Sequence, residues 1–245
     1  LRRLHQTFAQ APLLGSLLDP EKAYKGDLFA AEYATLVDLL DQALAQELTK
    51  SSAEKWDIAI SARGLLDAAR LLNSRYQLVV TNVPYLGRGQ QAEILRDYCE
   101  SHYPNAKSDL ANVFLERCIE LSASEGAGVV QVVMPQNWLF LGSYKKQREE
   151  LLRNVAWNLL VRLGEGGFES PQAAGAFIIL LTQTNERPFS GNVIVGVDAS
   201  KPKSALEKAT LLQNTHLIQA NQKTQLENPD ARVTLSEEED LPLLS

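Results

Sequence analysis

Little in these 245 residues points to metal, redox or secretory chemistry. The two cysteines, Cys99 and Cys118, share no metal-ligand spacing and fall in segments that read as helices. A reduced, cytosolic chain without a metal is the expectation. His5, His102 and His216 belong to no constellation, and Ser143 and Ser170 have no His/Asp partner pattern, so nucleophilic catalysis is not indicated. Positive charge is also short. With 24 Lys and Arg against 30 Asp and Glu, the net charge is −6. No general field attracts phosphates, and any nucleic-acid contact would need a separate basic module. No apolar run is long enough to cross a membrane and no signal peptide opens the chain, so no membrane partner is expected. Glycine is scarce where it would matter for a nucleotide. Residues 1–75 hold only Gly15, Gly26 and Gly64, isolated and none after a convincing strand. The first residue is Leu1 rather than methionine, which reads as a piece of something longer.

What is present suffices for a core of ordinary size, since 45% of the residues are hydrophobic. The first 75 residues read as helical, through Leu28–Leu48 and Ala62–Leu72. Alternation follows: a strand ending at Asn82, a helix over Gln90–His102, and a helix over Asp109–Ser122 capped by Ser108. "EGAG" makes a turn into a strand over Val129–Met134. Ser143 is placed to cap a helix over Tyr144–Asn154, whose "KKQREELL" face reads as solvated. Strands are expected at Asn158–Leu163 and Ala176–Thr182, antiparallel to each other because no helix separates them. Asn192–Val197 reads as a further strand, Ser204–Gln213 as a helix, and "SEEEDLP" as an exposed end. The whole argues an α/β fold built on a parallel sheet.

Within that pattern, "YQLVVTNVPYLGRGQ" (Tyr76–Gln90) stands out. Leu78, Val79 and Val80 form the kind of run that a parallel sheet buries on both faces. Pro84 has no N–H to continue a ladder and biases Val83 towards extended backbone. Asn82, Val83 and Tyr85 are thereby held at the carboxyl end of a strand, the edge where open α/β sheets bind ligands. By itself, Asn-x-Pro-Tyr after a strand is most often just a turn.

"TNVPY" resembles the Asn-Pro-Pro-Tyr motif of amino-directed methyltransferases, which methylate adenine N6 in DNA. "SDLANVFLERCIEL", "VVQVVMPQNWLFLGSYKKQREELL" and "LGEGGFESPQAAGAFIILLT" resemble the segments that follow it, in the same order. The match is to Eco57I-like restriction-modification methylases, in which methylase and endonuclease share one polypeptide, and to related phage-defence methylases.

The resemblance implies a Rossmann-like S-adenosylmethionine-dependent methyltransferase fold. The chain would hold the C-terminal part of its sheet, with an antiparallel late hairpin. Residues 1–75 would be a helical lead-in, 76–198 the catalytic core, and 199–245 a connector towards an absent target-recognition domain. The cofactor's glycine loop is absent too, so the parent would be active and the piece inactive. The substrate would be an adenine flipped out of double-stranded DNA. The Asn82 side-chain oxygen and the Val83 carbonyl would accept from N6 as positive charge develops there. Pro84 would shape the turn, and Tyr85 and Phe168 would sandwich the base. Val83 departs from the family's first proline but keeps the carbonyl that the role needs. Asp109 and Phe114 match cofactor-contacting positions. By spacing alone Asp109 is a first-turn carboxylate and Phe114 one of a core stripe with Leu110, Cys118 and Leu121; Phe168 reads equally as a hydrophobic turn residue. Two other readings stay open: a glutamine N5-methyltransferase acting on protein, and a catalytically silent scaffold.

Overall fold

The computed structural model describes residues 6–20, 22, 42, 53–168 and 175–235, with the side chains of 53–60 excepted. Apart from residue 42, the expected helix over Leu28–Leu48 lies outside these residues, as does the acidic C-terminal stretch. The chain divides into two compact units, Leu1–Arg75 and Tyr76–Ser245. In the first, a short helix α1 (Ala11–Leu14) runs into a 3-10 turn (Gly15–Leu17), and a long helix α2 occupies Ala53–Asn73.

The second unit is a six-stranded mixed sheet. Its strands are β1 (Leu78–Asn82), β2 (Val129–Pro135), β3 (Ala156–Gly164), β4 (Ile178–Thr184), β5 (Val193–Asp198) and β6 (Ile218–Asn221), in the order β1-β2-β4-β3-β5-β6. Only β1–β2 and β3–β5 pair in parallel; β4 lies antiparallel between β2 and β3. Helices α3 (Glu93–His102) and α4 (Leu110–Leu121) connect β1 to β2, and α5 (Lys145–Asn154) connects β2 to β3. After β5 come α6 (Ala205–Asn214), β6 and the one-turn helix α7 (Gln222–Gln225).

Alternation along the strands sends side chains to two faces. One face carries the main core, with Val83, Val132, Met134, Trp157, Leu160 and Leu181 packed beneath α4 and α5. The other carries a smaller cluster of Val161, Leu163, Ile178, Val197 and Ala199, against which Val133, Phe168 and Leu211 of α6 pack. β1 is not buried on both faces as its composition suggests. Among the described residues it is an edge strand with one neighbour, and Leu78 and Val80 point away from the main core at 60% and 64% exposure.

Two helix starts also differ from expectation. Asp109, not Ser108, caps α4, its Oδ1 accepting from the Ala111 amide at 2.9 Å. Ser143 lies in a 3-10 turn over Gly142–Tyr144, and α5 begins without a side-chain cap. The solvated "KKQREELL" face is only half right. Gln147 and Arg148 are fully buried because helical spacing puts them on the side of Leu151 and Leu152. Gln147 exchanges hydrogen bonds with Asn112 of α4 at 2.8 and 3.1 Å. The Arg148 guanidinium donates to the carbonyls of Trp138, Leu141 (2.7 Å), Asp230 (2.8 Å) and Ala231 (3.1 Å). One buried cation thus ties the loop after β2 to a turn more than eighty residues away in sequence.

Candidate active site

The register aligns the strand ends on one edge of the sheet. Asn82 sits opposite Val133, and Pro135 and Gly164 both face Ile178. The carboxyl ends of β1, β2 and β3 therefore share an edge with the amino end of β4. Pairing runs one residue past β1, because the Val83 amide donates to the Val133 carbonyl at 3.3 Å. This fixes the peptide that follows Asn82, and the Val83 side chain, 3% exposed, anchors it in the main core. Asn82, one residue earlier, faces the opposite way and is exposed. The Tyr85 hydroxyl donates to Asn82 Oδ1 at 3.4 Å, a long bond that little would be lost in breaking. Tyr85 is 36% exposed, and its partial desolvation pushes its phenol up to about 12 and keeps it neutral.

Beyond Tyr85 the chain is clamped to the start of α4. The Leu86 carbonyl accepts from the Leu110 amide at 3.0 Å and from Gln91 Nε2 at 3.1 Å. Gly87 bridges to Asp109, and the Arg88 amide donates to the Ser108 carbonyl at 3.0 Å. Glu100 of α3 holds both Lys107 and Arg88, and these cations keep its carboxyl below the usual carboxylate range. Asp109 is thus brought beside the loop that leaves the Asn82 turn. Phe114, a turn further along α4, is half-buried against the core cluster that takes Val83.

Phe168 lies at the end of a turn from β3 through Gly164 and Gly166, both in the left-handed region at φ 63° and 74°. Its ring packs on the smaller cluster, the one that also includes Val133, the register partner of Asn82. Asn82 and Phe168 therefore belong to the same face of the sheet. Among the described residues no group of His, Cys, Asp and Glu could hold a metal ion, and no helix is long and apolar enough to cross a membrane.

A family model described as Eco57I restriction-modification methylase matches residues 9–168, from the first unit through Phe168. The chain belongs to that family. Among similar curated proteins, the adenine-specific methyltransferase PglX of Lacticaseibacillus casei (strain Zhang) is 32% identical over 128 residues, covering 51% of this chain and 10% of that protein. The adenine-specific methyltransferase BrxX of Escherichia coli O9:H4 (strain HS) is 30% identical over 173 residues, 69% of this chain and 13% of that protein. The chain thus spans about a tenth of the length of these relatives. A solved structure of a type I restriction-modification system superposes with a TM-score of 0.51 over 83% of this chain and 54% of that one. At 15% identity, that likeness speaks for the fold alone.

The family implies S-adenosylmethionine as methyl donor. The described residues of the first unit form helices and turns and include no strand followed by a glycine turn, whereas such cofactor cradles rest on glycine-loop amides and a ribose-binding carboxylate. Sequence reasoning passed over the exposed aromatics Phe140 and Phe177, 38% and 53% exposed, just after β2 and just before β4. The Phe177 carbonyl accepts from the Gln136 amide at 2.9 Å, which puts it on the edge that carries Asn82. A large apolar residue directly outside a strand end is the signal that could have found Phe177.

Proposed function

We propose that this chain is the acceptor-side part of an adenine-N6 DNA methyltransferase from a restriction-modification or phage-defence enzyme. The observation that carries the reading is the Asn82 turn. An exposed amide oxygen, a peptide fixed by the β2 ladder and a neutral phenol stand together at the carboxyl ends of β1 and β2. Membership of the methylase family and the adenine-specific names of two relatives support it.

Adenine's exocyclic nitrogen is a weak nucleophile because its lone pair is delocalised into the ring. Asn82 Oδ1 and the Val83 carbonyl accept from its two hydrogens and stabilise the positive charge that grows on nitrogen as the lone pair localises. When bound, S-adenosylmethionine supplies an electrophilic methyl group on sulfur. Tyr85 exchanges its long bond to Asn82 for a face-on contact with the base and holds it for in-line attack. Phe168 closes the other side. A base in a duplex cannot enter such a slot, so the adenine is flipped out. The backbone contacts that hold the DNA fall to other parts of the parent protein, since this chain carries a net charge of −6.

Asn82→Ala in the full-length parent tests the assignment. Loss of one preorganised charge-stabilising group lowers the methyl-transfer rate by about two to three orders of magnitude. Cofactor affinity, measured by calorimetry, changes much less. Near-normal turnover sinks the reading.

A further inference from the structure

The turn that carries Phe168 is braced from behind. A bulge in β3 between Arg162 and Gly164 leaves Leu163 outside the register with β4. Its carbonyl turns instead to Lys208 of α6, whose Nζ donates to it at 2.6 Å. The same ammonium donates to the carbonyls of Ala199 at 2.9 Å and Pro202 at 2.6 Å. Three bonds use all three of its hydrogens, and the side chain is 2% exposed. The turn itself lies flat on the segment after β5. A Cβ on Gly164 would stand 2.9 Å from Ser200 Cβ, and one on Gly166 would stand 2.3 Å from the Lys203 carbonyl oxygen. Only glycine permits that approach at these φ values.

A lysine is an expensive way to fill space, because its charge must leave water. What it achieves is to join, at one atom, the end of β3, the end of β5 and the loop before α6. Two of the carbonyls it holds belong to Leu163 and Ala199, whose side chains form part of the floor under the Phe168 ring. We propose that Lys208 is a positioning residue: it locks the β3 bulge and the glycine turn so that Phe168 stands ready to stack on the flipped base. This rests on the methyltransferase reading above and adds to it a residue some forty positions beyond the turn it controls.

The test uses the full-length parent, a target duplex, and the same duplex with 2-aminopurine at the target adenine. Lys208→Met keeps the length of the side chain and removes the donors. The expected result is a fall of at least tenfold in kcat with an unchanged KM for the cofactor. The short-lifetime, stacked component of 2-aminopurine fluorescence shrinks as it does in Phe168→Ala. In the Phe168→Ala background, Lys208→Met lowers the rate less than about twofold further, because residues acting through one contact are not additive. Should Lys208→Met fail to fold, Gly166→Ala attacks the same brace from the turn and is expected to give the same signature. An unchanged kcat, or full additivity with Phe168→Ala, overturns the proposal. If Asn82→Ala abolishes methylation while both brace variants are normal, only the brace falls. A parent that methylates no adenine removes the reading and the brace together.

Discussion

Asn82 Oδ1 takes the Tyr85 hydroxyl at 3.4 Å, while the next residue buries its side chain and spends its amide on Val133. Two neighbouring residues thus differ: Asn82 is exposed, and Val83 is anchored by its buried side chain and its amide. The family's proline at this position would lose the 3.3 Å amide bond, worth about 1 kcal/mol, yet keep the carbonyl. Val83→Pro in the parent is therefore expected to methylate at an appreciable rate with slightly lower stability. Val83→Ala keeps both the amide and the carbonyl but empties part of the core, costing about 1–3 kcal/mol in urea unfolding, again with the rate largely kept. A collapse of the rate in a folded Val83→Pro protein would show that the valine side chain contacts something in the reaction.

Helix α5 shows what one buried cation does for an element. Lys145 and Lys146 face solvent, but Arg148 sits on the inner face and meets four backbone carbonyls rather than a carboxylate. Trp138 and Leu141 lie in the loop after β2, so Arg148 orders the part of the edge next to the Asn82 turn. Burial lowers its pKa, with Asp230 opposing that effect. Arg148→Met removes the donors and strands their carbonyls, at a cost of roughly 3 kcal/mol or more. The expected outcome is a lowered urea midpoint with unchanged secondary structure by circular dichroism. A loss under about 1 kcal/mol would mean that water or a neighbouring group replaces the guanidinium. The helix pattern of α5 was legible from its spacing; the burial of Arg148 was not, since a charged residue signals burial only when its distant partners are known.

For the molecule as a whole, the described residues ahead of β1 include no strand followed by a glycine turn. The isolated 245 residues are expected to show no saturable S-adenosylmethionine binding by calorimetry up to roughly millimolar, a limit of about −4 kcal/mol. They are also expected to transfer no methyl group to adenine-containing DNA, for which a net charge of −6 gives no electrostatic attraction. Micromolar binding or measurable methylation would show that the chain before β1 contains a site its scattered glycines do not advertise.

The sequence by itself determined the elements that depend on near neighbours. The strand into Asn82, the two helices after it, the hairpin of β3 and β4, and the strand and helix at Val193–Asn214 all follow from periodicity and breakers within a few residues. The Asn82 turn was legible for the same reason, because Pro84 and the apolar run define it locally. Tertiary structure alone decided which strand is an edge, that β6 joins the sheet, and that β4 inserts between β2 and β3. It also decided that Asn82 shares a face with Phe168, and that Arg148 and Lys208 are inside. Those facts depend on pairings between residues tens of positions apart, and no local pattern of propensity or charge records which carbonyls a distant cation will meet.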